Sequence, residues 1–204
     1  MTEIYLAMVL FAFSTSITPG PNNMLILSSG LNHGVKRSLP HLLGIAFGFP
    51  VMIIMIGIGL GTIFERFPIL HEIIKVLGVL YMLYLAWMIA TSKPKDFAIS
   101  RGKPMGFWQA FFFQWVNPKG WIMALGAIAA YTSLSHDMIV QAMIIALVFL
   151  LVGPPCTACW LFLGASLKHL LQKPHQQRIF NVTMALLLVV SIAPIIQELI
   201  MKWL

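Results

Sequence analysis

Two short polar sequences interrupt apolar stretches of the chain and hold the residue types that could bind a charged ligand. The first, TPGPNN, occupies residues 18–23, and the second, QWVNPK, occupies residues 114–119. A proline removes one backbone donor and pushes the preceding residue out of the α region. Each sequence is therefore predicted to break a helix.

Both interruptions contain a pair of residues that is typical of a helix start. Thr18-Pro19 and Asn117-Pro118 each have the form of an N-cap followed by proline at the first helical position. The free N–H groups and the positive dipole end of such a helix bind anions, including carboxylates. The sequence therefore predicts a carboxylate site at the two breaks.

Lys119 adds a full positive charge beside the second helix start. A lysine at membrane depth costs about 2.5–3.5 kcal/mol on insertion scales, so its position needs a reason. The alternative is a side chain that extends to the aqueous interface, but Lys119 is about 20 Å along a continuous helix from the start of its apolar segment. We assign Asn117 and the adjacent helix start to a substrate carboxylate, with Lys119 as charge partner and as a group that could carry a coupled proton.

The six acidic residues all lie near the ends of apolar segments or between them, so a cationic side chain would find no buried carboxylate. A substrate ammonium would instead contact carbonyl groups freed by the breaks, the Gln114 amide, and the faces of Trp115 or Trp121. This favours a zwitterion with a neutral side chain. The candidate substrate-binding residues are Thr18, Pro19, Gly20, Pro21, Asn22, Asn23, Gln114, Asn117, Pro118 and Lys119.

The composition places these sites in a membrane protein. Of the 204 residues, 59% are hydrophobic and 9% are charged, whereas a soluble domain carries about 25% charged residues. Six segments are long enough to span a bilayer, and the short remainder leaves no room for a soluble catalytic or nucleic-acid-binding domain. The predicted segments are 4–27, 41–64, 69–90, 106–130, 138–167 and 179–203, in a single domain over residues 1–204.

The positions of the breaks predict two inverted halves, approximately residues 1–95 and 104–204. With three spans per half, segments 1 and 4 cross the bilayer in opposite directions, as in an inverted-topology repeat, and both are broken. Segments 2 and 5 carry a second matched pair of proline clusters, Gly48-Phe49-Pro50 and Gly153-Pro154-Pro155, which are predicted to break or kink them. The fold class is therefore an all-α membrane protein with six spans.

Basic residues predict the orientation, because they are enriched in cytoplasmic loops. Nine of them fall after segments 1, 3 and 5, which places both termini on the periplasmic side of a multi-pass protein. These residues are Lys36, Arg37, Lys93, Lys95, Arg101, Lys103, Lys168, Lys173 and Arg178.

Glycines and cysteines suggest two further features. The pairs Gly44/Gly48 and Gly57/Gly61 lie on opposite faces of segment 2, so one pair could pack inside the chain and the other against a second subunit of a homodimer; packing within one chain is the alternative. Cys156 and Cys159 form no disulfide framework, and no metal or cofactor is expected. They do allow a second hypothesis, a transmembrane thiol–disulfide electron carrier.

Taken together, TPGPNN at 18–23, NHGVKRS at 32–38 and QWVNPK at 114–119 resemble the LysE/RhtB family of amino-acid exporters over essentially the whole chain. The stretch 18–29 with Cys159-Trp160 is similar to the cysteine/O-acetylserine branch, and threonine and homoserine exporters are close relatives. The resemblance implies a transporter rather than an enzyme. It also implies efflux of small neutral amino acids across the bacterial inner membrane by proton antiport. Some lysine exporters carry an acid in the second span, where this chain has Gly48-Phe49-Pro50, which argues against a basic substrate.

Overall fold

The computed structural model describes residues 2–60, 66–91, 103–132, 137–167 and 173–203, and its regular secondary structure in these ranges is helical, which confirms the all-α prediction. Gly61 and four of the basic residues used for the orientation (93, 95, 101 and 168) lie outside the described residues. The helices are α1 (Thr2–Ile17), α2 (Pro21–Met55, followed by a π-helical turn, Ile56–Leu60), α3 (Pro68–Thr91), α4 (Phe107–Phe113, followed by a 3₁₀ turn, Gln114–Val116), α5 (Pro118–Tyr131), α6 (Met138–Leu167) and α7 (Pro174–Trp203).

Two of the described helical stretches, Pro21–Gly59 and Met138–Leu167, are long and apolar enough to cross a bilayer. Glu3–Ile17 and Val76–Thr91 are shorter apolar helices. The bounds of α6 match the predicted fifth segment, and α3 extends the third by one residue at each end.

Helix α2 reverses direction at Gly34, where a loop was expected between segments 1 and 2. Gly34 has φ 76° and ψ 172°, whereas its neighbours are helical. Ser29 Oγ lies 2.9 Å from His41 Nδ1, although twelve residues of straight helix would separate their backbones by about 18 Å. The chain therefore folds back within α2, and nearly all of the predicted loop is helical.

Proline does not break the other helices in which the sequence placed a proline cluster. Helix α2 continues through Pro50, and α6 continues through Pro154 and Pro155. A proline inside a helix removes one hydrogen bond, and the packing of a long apolar helix against its neighbours offsets that loss.

Close contacts at glycine hold α2 against α6. A Cβ on Gly30 would collide with the carbonyl oxygen of Leu161, and one on Gly164 would collide with the carbonyl oxygen of Leu27. These helices therefore approach backbone to backbone, as small residues allow in membrane bundles. The packing joins the start of α2, which follows the first break, to the second half of the chain.

The glycines of segment 2 pack within the chain on both of the faces described. Gly44 and Gly48 lie against α4, where an added Cβ would meet the carbonyl oxygens of Phe107 and Phe111, and Gly57 lies against Ala142 of α6. One of the two faces was expected to contact a second subunit, and the structure packs Gly44, Gly48 and Gly57 all inside the bundle. The homodimer stays a prediction without this support.

Candidate functional site

The first interruption is a short extended connection between α1 and α2. Helix α1 ends at Ile17, and α2 begins at Pro21 with Gly20 as its N-cap, at φ −178° and ψ 177°. The predicted N-cap at Thr18 is therefore wrong by two residues. Because Pro21 disfavours the α region at Gly20, a helix cannot start at Pro19 and run on through both residues.

The second interruption starts its helix where the sequence predicted. Asn117 is the N-cap of α5, at φ −85° and ψ 106°, and Pro118 occupies the first turn. The 3₁₀ turn Gln114–Val116 leads into it, with the Asn117 N–H donating to the Gln114 carbonyl at 3.3 Å. The backbone of this break is therefore held by a hydrogen bond between residues of the break itself.

Lys119 joins the second break to the first. Its Nζ donates to the Thr18 carbonyl at 2.9 Å, to Thr18 Oγ1 at 2.8 Å and to the Pro19 carbonyl at 3.2 Å. An ammonium group has three donors and no acceptor, so these three acceptors match its capacity. The lysine thus binds the extended connection across about a hundred residues of sequence, which the helix-start argument did not foresee.

Gly20 leaves the room that this lysine needs. A Cβ at Gly20 would lie 2.6 Å from Lys119 Cδ and 3.0 Å from Lys119 Nζ. Gly20 is buried and has extended dihedral angles that any residue adopts. A glycine is therefore needed here because Lys119 approaches closely, and not because the backbone has an unusual conformation.

A reciprocal pair of amides makes a second link between the breaks. Asn22 Nδ2 donates to Gln114 Oε1 at 2.8 Å, and Gln114 Nε2 donates to Asn22 Oδ1 at 3.1 Å and to the Ala110 carbonyl at 2.9 Å. Gln114 is fully buried. Its amide therefore binds the protein, and the expected contact with a substrate ammonium is not available in this conformation.

The carbonyl groups that α1 leaves free at its end are bound by side chains from elsewhere. Asn23 Nδ2 donates to the carbonyls of Ser16 and Thr18, both at 2.8 Å. Trp160 Nε1, from α6, donates to the Ile17 carbonyl at 3.0 Å. The last carbonyls of a helix have no partner within it, so these bonds fix an end that would otherwise need water.

A small cavity of about 50 Å³ lies where the two breaks meet. Five of the ten predicted site residues line it: Gly20, Asn22, Asn23, Asn117 and Lys119. The other five do not line it. Three of them bind residues that do: Thr18, Pro19 and Gln114. The remaining two, Pro21 and Pro118, begin the two helices. Ligand clefts usually measure about 300–1,000 Å³, so the site is nearly closed in this conformation.

Asn117 carries a buried acceptor without a donor. The residue is 2% exposed, and its Oδ1 has no hydrogen-bond partner. An Asn N-cap usually accepts a hydrogen bond from the first turn of its helix, and Asn117 does not. A buried unpaired acceptor costs about 1–3 kcal/mol, so a donor brought to this oxygen would be favoured.

Sequence reasoning missed several residues of the cavity wall. Thr15 and Ser16 precede the first break, and Thr157 lies between the two cysteines. Phe49 and Phe149 pack edge to face, with ring centroids 5.1 Å apart. A signal was present for two of them, since Phe49 adjoins Pro50 and Phe149 lies one helical turn before Gly153. No pattern singled out the rest.

The two tryptophans and the two cysteines lie outside the cavity wall. Trp121 Nε1 donates to the Trp115 carbonyl at 2.9 Å, and the two rings meet edge to face. Neither ring lines the cavity, contrary to the expectation of a contact with substrate. Cys156 is buried, Cys159 is exposed, and both are free thiols.

Comparison with known proteins identifies the family. The family model described as LysE type translocator matches residues 13–193. The chain belongs to the LysE-type translocators. It is therefore a membrane transport protein and not an enzyme, as predicted.

Curated relatives cover most of this translocator. The cysteine/O-acetylserine efflux protein of Salmonella typhimurium (strain LT2) is 34% identical over 182 residues, which is 88% of this chain and 90% of the relative. Proteins of the same name from Shigella flexneri and Escherichia coli (strain K12) are 33% and 32% identical, over 93% and 88% of this chain and 96% and 90% of the relatives. No solved structure matches the translocator. These relatives do not favour the thiol–disulfide carrier.

Proposed function

We propose that the translocator exports small neutral amino acids of the cysteine and O-acetylserine type across the bacterial inner membrane. The observation that carries this proposal is the meeting of the two breaks at one cavity, linked by Lys119 to Thr18 and by Asn22 to Gln114. Irregular backbone at membrane depth is tolerated where it lines a cavity, and paired breaks are typical of transporter binding sites. The relatives, which are cysteine/O-acetylserine efflux proteins, suggest the substrate class.

The proposed topology has six spans in two inverted halves. In it, α1 and the first part of α2 form one broken span, α4 and α5 form the other, and the reversal at Gly34 lies at the cytoplasmic surface. Lys36 and Arg37 follow that reversal, and Val35 packs in the same cluster as Met105, close in sequence to Lys103. Two groups of basic residues therefore meet at one end of the bundle, which supports periplasmic termini by the positive-inside rule.

Exposed apolar side chains support burial of the bundle in lipid. Trp87 on α3, Leu151 on α6 and Val190 on α7 are 69%, 67% and 66% exposed in the isolated chain. Apolar surface left in water costs about 25 cal/mol per Å², and a bilayer removes that cost. Lipid is thus the proposed partner of this surface.

The substrate carboxylate is assigned to the start of α5. Pro118 has no N–H, so the backbone donors of the first turn that come next are those of Lys119 and Gly120, both of which line the cavity. The helix dipole and the Lys119 charge favour an anion there. Because Lys119 Nζ already binds three oxygens, it acts as a nearby charge that also positions the first break.

The substrate ammonium is assigned to Asn117 Oδ1. This oxygen is the unpaired acceptor next to the proposed carboxylate site, and in an α-amino acid the two charged groups sit on the same carbon. This assignment replaces the one made from the sequence, in which Asn117 bound the carboxylate. It uses the oxygen as an acceptor, which is what the structure leaves free.

A neutral side chain fits the apolar part of the cavity wall. Phe49, Met123 and Phe149 line that part, and none of the described residues that line the cavity is acidic. A cationic side chain would meet the Lys119 charge with no carboxylate to offset the repulsion. The proposed substrates are therefore small and neutral.

Counterflow in proteoliposomes tests the function. Vesicles with purified protein are loaded with unlabelled cysteine, O-acetylserine, threonine, homoserine, leucine or lysine, and uptake of the labelled counterpart is followed. We expect exchange of the small neutral amino acids and none of lysine. Absence of exchange with every neutral amino acid would refute the proposal.

Proton antiport, the proposed coupling, needs a separate measurement. Vesicles that hold labelled cysteine are given an inward or an outward pH gradient, and loss of label is compared with loss at equal pH. Antiport predicts faster efflux when protons run opposite to the amino acid. Equal rates under the two gradients would contradict it.

A further inference from the structure

A second and much larger cavity lies at one end of the bundle. Its volume is about 760 Å³, and it is bordered by the beginning of α1, the end of α5 and the beginning of α6. Glu3, Tyr5 and Asp137 line it together with apolar residues, and all three are exposed. In the proposed topology this end faces the periplasm, since it holds the N-terminus.

Three helices, α1, α5 and α6, line both cavities, and α2 also lines the small one. The large cavity reaches Met8 on α1 and Ile144 on α6, and the small cavity begins at Thr15 and at Phe149 on those helices. Seven residues of α1 span about 10 Å and five residues of α6 span about 8 Å. On α5, Met123 lines the small cavity and Ala130 lines the large one. A layer of about 8–10 Å thus separates the cavities.

This layer is apolar and tightly packed. Phe149 is 2% exposed and sits edge to face with Phe11 and with Phe49, at centroid distances of 6.4 and 5.1 Å. Phe11 in turn meets Tyr131, which lines the large cavity, at 5.9 Å. Buried apolar residues from the three helices complete the layer: Ala12, Ala124, Ala127 and Ile145.

We infer that the large cavity is the outward vestibule of the export pathway and that Phe149, held between Phe11 and Phe49, is the barrier that closes the central site from it. The inference rests on the proposed function for the direction of transport. A zwitterion cannot cross packed aromatic rings without losing its hydration, so the Phe149 ring has to move for the site to open outward. Phe149 is suited to this role because it lines the central site and touches the ring next to the vestibule.

Reaction of single cysteines with a membrane-impermeant cation tests the barrier. Cys156 and Cys159 are first replaced by serine, and one cysteine is then introduced at Ala7 in the vestibule or at Ser16 in the central site. Intact vesicles with the periplasmic face outward are exposed to 2-(trimethylammonium)ethyl methanethiosulfonate. We expect Ala7→Cys to react readily and Ser16→Cys to react at least about tenfold more slowly, because a closed site is exposed only in a minor state.

Opening the barrier should remove this difference. In Phe149→Ala we expect the Ser16→Cys rate to rise towards that of Ala7→Cys, with a smaller rise in Phe149→Leu. Phe162→Ala is the matched control, since Phe162 lies on the same helix but is 56% exposed, and it should leave both rates unchanged. The rate at Ala7→Cys in each variant reports whether the bundle is intact, and Phe149→Leu decides the matter if Phe149→Ala does not fold.

Three results would overturn the inference. One is equal reaction of Ser16→Cys and Ala7→Cys with Phe149 present, and another is slow reaction of Ser16→Cys in both Phe149 variants while Ala7→Cys reacts normally. The third is failure of Ala7→Cys to react from the periplasmic side. Because no substrate is used, these results are independent of whether an amino acid exchanges in counterflow.

Discussion

The two helix breaks look alike in sequence but offer different backbone groups where they meet. The first, from Thr18 to Gly20, offers carbonyl oxygens at the end of α1, and the second offers the N–H groups at the start of α5 together with the Lys119 charge. The backbone of the first break therefore supplies acceptors, and the second break supplies backbone donors and the Lys119 ammonium. The two breaks thus differ chemically, and this difference lets one half of the chain bind the other.

The breaks also differ in how they are held. The second closes on itself through a 3₁₀ turn, whereas the first takes hydrogen bonds from Lys119 on α5 and Trp160 on α6. Disturbing the second break should therefore disorganise the first, whereas the reverse effect should be weaker. The four predictions below test this asymmetry, from the largest expected effect to the smallest.

Replacing Lys119 by alanine should cause the largest loss. The variant loses three hydrogen bonds from a charged donor to the first break, and such bonds are each worth about 1.5–3 kcal/mol. We expect counterflow to fall by at least about 10- to 100-fold, because the loss of one such bond already corresponds to this factor at 1.4 kcal/mol for each factor of ten. Lys103→Ala, at an exposed lysine, is the control and should exchange normally. Unchanged exchange in Lys119→Ala would remove both roles assigned to the lysine.

Breaking the amide pair should destabilise the junction of the two breaks. Asn22→Leu or Gln114→Met leaves the partner amide without the two bonds of the pair, at about 1–3 kcal/mol for each variant. The double variant should lose less stability than the sum of the two single losses, with a coupling of about 1 kcal/mol. In the double variant neither amide remains to be left without its partner. Unfolding titrations in detergent give these free energies. Strictly additive losses would mean that the two side chains act separately.

Adding one methyl group at Gly20 should shift Lys119 without removing its charge. The new Cβ would lie 2.6 Å from Lys119 Cδ, and a flexible side chain can move away at some cost to its hydrogen bonds. We expect counterflow to fall about threefold, as a loss of well under 1.4 kcal/mol implies. In the Lys119→Ala background the same change should have no further effect. Gly126→Ala, where the nearest atom of another residue lies at 3.8 Å, is the control, and an equal loss there would contradict the account.

Serine at both cysteine positions should have the smallest effect. Cys156 and Cys159 lie outside the cavity wall, and the first half of the chain has no cysteine that could pair with them. We expect counterflow in the double variant to stay within about twofold of the parent, because serine is close to cysteine in size and neither thiol lines the cavity. Loss of transport would instead support a functional role for the two thiols.

Much of the candidate site could be predicted because local rules decide it. Proline placement fixed the start of α5 at Asn117-Pro118, since a ring that locks φ acts on its immediate neighbours. The same rule misplaced the start of α2, because two prolines compete there and Pro21 excludes a helical Gly20. The start of a helix can therefore be predicted from local sterics, provided that every proline in the stretch is taken into account.

The packing of Phe149 between Phe11 and Phe49 could not be predicted in this way. The chain has 14 phenylalanines. Neither composition nor periodicity distinguishes Phe11 from those that are exposed, such as Phe162, and the position of Phe149 one turn before Gly153 does not indicate that it packs against Phe11. The reversal at Gly34 is a similar case, since one residue with positive φ replaces the expected loop. Both features depend on which helices pack together, which is a property of the whole bundle.

The sequence by itself determined that the chain is a helical membrane transporter with two polar breaks, because hydropathy and proline act over one helix or less. Only the tertiary structure decided that Lys119 binds the Thr18 and Pro19 carbonyls and that Asn22 pairs with Gln114. These contacts join residues about a hundred positions apart, and the packing of α2 against α6 and α4 brings them together. Such a distance leaves no trace in local patterning, so the chemistry of the site follows from packing and not from spacing along the chain.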